Sequence, residues 1–171
     1  MSNNSPSISE KQEKSSSKKY KNPIPTVDII LRRSPRNTRT ILIETRGRPP
    51  YKGSYSLPGG HMEYGETVER ATLRELDEEC GVRANLIDIL GVYSDPKRDP
   101  RGQRISTVFV GDYAGGNPRA ADDAGSVEWI DLSELLQMKK KKLSFDHAII
   151  LRDYEKWLDE KSRKETFWST K

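Results

Sequence analysis

Apolar and polar positions along the chain change period several times. Residues 26–31 (TVDIIL) and 39–44 (RTILIE) are short runs rich in β-branched residues, parted by Pro35, Arg36 and Asn37. Such runs bounded by turn residues predict two strands, and their close spacing makes them hairpin partners. Three further strands are predicted at 86–93 (LIDILGVY), 105–113 (ISTVFVGDY) and 127–130 (VEWI). A helical period replaces the strand period over 66–80, with Gly65 breaking the chain before it and Gly81 placed as a left-handed C-cap. At about 100° per residue, Leu73, Leu76 and Cys80, with Thr72 at the edge, form its predicted buried arc. Asp131 with Glu134 marks a short helix through Leu135 and Leu136. Asp146 caps a last helix in which Ile150, Tyr154 and Trp157 recur at helical spacing as a core stripe. Strands, a helix, more strands and then helices predict a mixed α/β sandwich.

The 171 residues suit one domain with one core. Residues 1–22 are expected to be a disordered tail: serines and lysines dominate, and Met1, Ile8 and Tyr20 are too few apolar groups to offset the entropy of ordering. Five lysines against two glutamates place +3 of the formal +4 charge in that tail. The folded part, expected over 23–165 with a short tail at 166–171, is therefore nearly neutral, and no nucleic-acid partner is expected. The run Lys139–Lys142 reads as a solvated loop. No run of 18 apolar residues is present, so no membrane span is expected. An apolar signal-peptide core is missing, and a single cysteine, Cys80, excludes an intrachain disulfide; both suit a reducing, cytoplasmic setting.

The helix at 66–80 carries more acid than a helix needs. Glu75, Glu78 and Glu79 share an arc about 100° wide beside the apolar one, because positions i, i+3 and i+4 stack. Each close pair costs roughly 0.2–0.5 kcal/mol, and Arg74 is the one cation in the segment from Ala71 to Val82 that could offset it. Asp77, on the far side, reads as a solvated acid. A solvated acidic face is one explanation of the trio; a divalent cation held by clustered carboxylate oxygens is the other.

The order of residues favours the cation. Gly60, Glu66, Arg74, Glu75, Leu76, Glu78, Glu79, Gly81 and Val82 fill every fixed position of the Nudix box, G-x5-E-x7-R-E-U-x-E-E-x-G-U with U bulky and aliphatic. The chain thus resembles Nudix hydrolases from about Thr26 to Trp157. That resemblance implies a Nudix-type α/β/α sandwich with a mixed β-sheet, and hydrolysis of a nucleoside diphosphate derivative with Mg²⁺ or Mn²⁺. It makes Glu75 and Glu79 the principal metal ligands, Glu78 an auxiliary one and the Gly60 carbonyl a further one. Glu66 and Arg74 become an orienting ion pair. The proton acceptor in such enzymes is either a box glutamate or an acid on a later loop; here Asp123, six residues before Trp129, is the candidate, with Asp122 its rival.

The stretch SDPKRDPRGQR points to a substrate class. Ser94, Pro96, Arg98, Asp99, Pro100, Arg101 and Gly102 resemble the ADP-ribose pyrophosphatase subgroup, with Gln103 where that pattern has histidine, and Phe145–His147 (FDH) resembles the start of its last helix. The resemblance implies hydrolysis of ADP-ribose to AMP and ribose 5-phosphate, and a possible homodimer. Arg46, Arg48, Arg98 and Arg101 are the candidate phosphate contacts, since guanidinium forks suit phosphates; Pro96 is a shape element of the loop. Tyr51 and Tyr55 are candidate stacking partners for a base. Cys80 reads as core, and His61 and His147 lack zinc-site spacing. Damaged nucleoside triphosphates, dinucleoside polyphosphates and a non-catalytic ADP-ribose sensor remain as alternatives.

Overall fold

The structure is a computed structural model that describes residues 21–120, 124–139 and 142–160. The expected tails at 1–22 and 166–171 fall outside the described residues, apart from Lys21 and Asn22, as do Lys140 and Lys141 of the lysine run. Among the described residues, six strands and three helices follow in chain order: β1 (Ile24–Ser34), β2 (Asn37–Arg46), β3 (Tyr55–Ser56), α1 (Val68–Cys80), β4 (Val82–Tyr93), β5 (Arg104–Gly116), β6 (Ala124–Asp131), α2 (Leu132–Gln137) and α3 (His147–Asp159). The sheet runs β3-β2-β1-β5-β4, with β6 also on β2. β1 pairs parallel with β5 and antiparallel with β2, so the sheet is mixed.

Strict alternation in the central strands explains the layers. Ile30, Ile41, Ile43, Val108 and Val110 point to one face, where Leu132 and Leu135 of α2 and Ile150, Leu151, Tyr154 and Trp157 of α3 cover them. Ile29, Leu31, Leu42 and Phe109, the intervening positions, point to the other face, against Leu76 and Cys80 of α1. Successive side chains of a strand leave opposite faces, so apolar neighbours on both faces demand cover from both sides. This is the expected α/β/α arrangement.

Two local expectations change. α1 begins two residues later than expected, with Thr67 as N-cap accepting from Arg70 N–H, and Gly81 takes the left-handed C-cap at φ 67°. Its buried residues are Ala71, Thr72, Leu76 and Cys80, whereas Leu73 is 38% exposed. The sheet meets the helix along the Thr72–Leu76–Cys80 line, and Leu73 lies about 100° round from Thr72, which turns it to solvent. Asp131 caps α2 through its carboxylate, which accepts from Ser133 N–H. Asp146 is the N-cap residue of α3 but makes no side-chain cap bond; its carboxylate is engaged elsewhere.

The Gly/Pro-rich segment after β2 is not merely a loop. The β1–β2 hairpin pairs only near its turn, at Arg32↔Ile41 and Ser34↔Asn37. Further on the two strands part and admit residues 55–61. Ser56 pairs with Glu44 of β2, while Val27 N–H donates to Gly60 O and Ile29 N–H to Pro58 O, each at 3.0 Å. Glu44 and Thr45 also pair with Val127 and Ser126 of β6, on the opposite edge of β2. The wedge carries Gly59 and Gly60 into the sheet, beside α1.

Candidate active site

Gly60 meets the acidic face of α1 directly. A Cβ at Gly60 would overlap the Glu75 carboxylate, so a larger residue there would displace that acid from its place against the wedge. Gly59 N–H donates to Glu79 Oε2 at 2.9 Å. Glu75, Glu79, Gly59 and Gly60 line one wall of a cleft of about 360 Å³, which Glu44, Arg46, Gly47, Arg48, Pro49, His61 and Arg101 complete.

The acids in this cleft are electrostatically unsettled. Burial, then the neighbouring Glu44, Glu75 and Asp28, push Glu79 up to about 9, although the Gly59 N–H opposes them. Burial also raises Glu75, against the pull of Arg74. A divalent cation would reverse the sign of these effects, replacing mutual repulsion by shared attraction. The donor set therefore fits a hard cation that takes carboxylate oxygens. As they stand, no three His, Cys, Asp or Glu side chains among the described residues form a ready cage. Glu75 is turned to Arg74 at 3.0 Å and Glu79 to the Gly59 N–H at 2.9 Å.

Arg74 ties helix and loop together. Its Nη2 donates to Glu66 at 2.7 Å and to the His61 carbonyl at 2.9 Å, and its Nη1 to Glu75 and Glu78 at 3.0 and 3.1 Å. The hydrogen bond from Arg74, then that from Glu63 N–H, lowers the Glu66 pKa. Glu78 differs from its two partners: its side chain is 59% exposed and it is not among the cleft-lining residues. The Gly60 carbonyl also differs from expectation. It accepts from Val27 N–H within the sheet, so one of its lone pairs serves the fold.

The four candidate arginines divide. Arg46, Arg48 and Arg101 line the cleft. Arg46 Nε donates to Pro50 O, and Arg101 is held by Asp99, which accepts from its Nε and Nη2. Arg98 does not line this cleft. It is buried, its Nε and Nη2 donate bidentately to Asp146 at 2.9 and 2.8 Å, and Nη2 lies 3.5 Å from Asp28. Burial works against its charge, but Asp146 and Asp28 outweigh that and raise its pKa. A fork spent this way ties the 95–102 turn to the start of α3, while Arg98 lines the small pocket beside the cleft. Pro96 is exposed at the start of that turn. Asp122 and Asp123 lie outside the described residues. The next residue, Ala124, pairs with Arg46 at the cleft wall.

Several residues of this region went unnoticed in sequence. Glu44 and Asp28 are each a lone acid in an apolar strand, a signal that was available. Asp28 accepts from Ser106 Oγ and sits 3.6 Å from Nε2 of His147. Burial, offset in part by Arg98 and Ser106, raises Asp28 to about 6. His147 Nδ1 accepts from Leu57 N–H at 3.0 Å, and burial, then Arg98 and Arg46, hold it down at about 3. It is therefore a neutral imidazole anchoring the wedge. Cys80 is buried core, and burial raises its thiol.

The match to known families follows these features. The family model for the NUDIX domain matches residues 22–154. The chain belongs to the NUDIX family. An ADP-ribose pyrophosphatase of Methanocaldococcus jannaschii is 45% identical to this NUDIX chain over 138 residues, covering 81% of it and 76% of the relative. The ADPR responsive transcriptional repressor NtrR of Acinetobacter baylyi is 27% identical, with 84% of this chain matching 58% of that protein. Among solved structures, the NUDIX domain of Shewanella oneidensis NrtR, complexed with ADP ribose, superposes with a TM-score of 0.70 at 26% identity, covering 81% of this chain and 90% of that one. A bifunctional NMN adenylyltransferase/ADP ribose pyrophosphatase of Francisella tularensis, complexed with AMP and a Mn ion, superposes at 0.67 and 30% identity, with 82% of this chain covering 42% of that one.

Proposed function

We propose that this NUDIX chain hydrolyses ADP-ribose to AMP and ribose 5-phosphate, using Mg²⁺ or Mn²⁺. The carrying observation is a single cleft with two chemistries: Glu44, Glu75 and Glu79 beside Arg46, Arg48 and Arg101. Carboxylates suit a cation and guanidiniums suit a diphosphate. Glu75 and Glu79 would hold the cation, with Glu78 entering from the rim and Gly60 offering its remaining carbonyl lone pair. When bound, the ion supplies charge neutralisation at the diphosphate and a more acidic water. Arg46, Arg48 and Arg101 orient the phosphates. Asp123 accepts the proton of the attacking water; the residue that follows it, Ala124, pairs with Arg46 of the cleft wall.

The relatives named for ADP-ribose support this substrate. The expected homodimer and cytoplasmic location belong to the same reading; among the described residues no helix is long and apolar enough to cross a membrane. The test is incubation of pure protein with ADP-ribose and Mg²⁺ in ¹⁸O-labelled water. AMP and ribose 5-phosphate are expected, with the label on one of them identifying the phosphorus attacked. The similarity to a repressor favours one rival, an ADP-ribose sensor; tight binding with no products would assign that role instead. Preferential cleavage of oxidised nucleoside triphosphates or dinucleoside polyphosphates in a parallel panel would assign those substrates.

A further inference from the structure

Two residues other than glycine have positive φ among the described residues: Tyr51 at 65° and Phe145 at 50°. The left-handed region is uncommon for side chains of this size and persists where the surroundings over-determine it. They lie far apart in sequence, yet their rings meet edge to face at 5.0 Å. The Phe145 ring also receives two cations. Arg46 Cζ lies 5.0 Å and Arg101 Cζ 5.4 Å from its centroid. Both arginines line the acidic cleft, whereas Phe145 lines only the small adjoining pocket of about 50 Å³.

We propose that Phe145 is a positioning residue, whose ring holds the Arg46 and Arg101 guanidiniums on the cleft wall for a diphosphate. This rests on the phosphate-binding role given above to those arginines. A guanidinium over an aromatic face is attracted by the ring quadrupole and loses less freedom when a phosphate arrives. The second anchor of each arginine, Pro50 O for Arg46 and Asp99 for Arg101, fixes its distance along the wall; the shared ring fixes the two relative to each other. Arg46 ends β2 and Arg101 lies in the turn before β5, so nothing nearer in sequence performs that task. Tyr51, against the ring edge, keeps the platform from turning.

A plain packing role makes a different forecast. Leucine would fill the space of Phe145 but offers no π face. The experiment is calorimetric titration of the full chain with ADP in the presence of Mg²⁺, comparing wild type, F145L and F145Y. F145L should bind about five- to tenfold more weakly, and F145Y within about twofold of wild type. In an R46A/R101A background, F145L should cause no further loss. Equal binding by F145L, a defect in F145Y as large as in F145L, or an undiminished effect in the double-arginine background would each overturn the proposal. Should F145L not fold, NMR of the wild type decides. The side-chain Nε–H and Cδ protons of Arg46 and Arg101 should be shifted upfield by the ring current, and ordinary shifts overturn the idea. Because ADP binding is read without turnover, a wild type that binds ADP but leaves ADP-ribose intact would remove the proposed hydrolysis and leave the role of Phe145 standing.

Discussion

The backbone N–H of Gly59 donates to Oε2 of Glu79 at 2.9 Å. This one bond joins the wedge between β1 and β2 to the last turn of α1. Glu79 is mostly buried in a carboxylate-rich wall, so it holds its proton to about 9. The wedge thereby fixes the direction of an acid that the wall itself disfavours as an anion.

Replacing Glu79 by Gln should lower kcat with Mg²⁺ by about 10²–10³-fold, the scale of losing one preorganised electrostatic group. Stability should respond in the opposite sense. A carboxyl raised from 4.5 to about 9 on folding contributes stability below the unfolded value and loses it as pH rises through the folded one. In EDTA, wild-type Tm should therefore fall across that window more than Tm of E79Q, and Mg²⁺ should restore the wild type most at the alkaline end. Thermal unfolding across pH, with and without the ion, checks both.

Gly60→Ala should be damaging although alanine is small. Its Cβ would overlap the Glu75 carboxylate. The overlapped atoms end a flexible side chain, so stability should change little, but the displaced group is a cleft acid. Activity should fall at least about tenfold, by the cost of a single misplaced group. Parallel urea unfolding and steady-state kinetics measure the two effects; wild-type kinetics in G60A would remove Glu75 from its assigned place.

Arg98→Ala should act on stability before substrate binding. Removing one partner of a buried ion pair costs about 3–5 kcal/mol because the other charge is left uncompensated, and here both Asp146 and Asp28 lose theirs. Arg98→Lys keeps the charge but not the bidentate fork, and should fall between. A raised KM with unchanged unfolding free energy would instead return Arg98 to the ligand.

His147 predicts an acid-sensitive fold. Its pKa falls from 6.5 to about 3 on folding. Its contribution is intact above 6.5 and is lost as pH falls toward 3, because the unfolded chain takes up the proton first. Asp28, raised from 3.8 to about 6, has the opposite sign and offsets part of the loss. His147→Asn should leave a weaker acid dependence of Tm in that window. An unchanged slope would show that other groups carry the acid response.

Asp123→Asn should reduce kcat by about 10²-fold or more while leaving KM within a few-fold, as expected when a proton acceptor is removed. Steady-state kinetics with ADP-ribose decide it. A change confined to KM would place Asp123 in binding, and normal kinetics would pass the role to a box glutamate.

The local alphabet of this chain reached a long way. Ile29, Ile30 and Leu31 announced an apolar strand, and the spacing of Glu75, Glu78 and Glu79 announced an acidic face on the helix, because each signal is carried by a single element. The Glu66–Arg74 contact was legible too, through the resemblance to the Nudix box. Tertiary structure decided what depends on partners distant in sequence. It set residues 55–61 between β1 and β2, turned Leu73 outward, and made Glu44 a cleft acid. It gave Arg98 to Asp146 rather than to the cleft. It also brought Arg46, Arg101 and Tyr51 to the Phe145 ring. An arginine in a loop carries the same charge wherever it points; which carboxylate or aromatic face it meets is settled only when separate elements pack and exclude water between them.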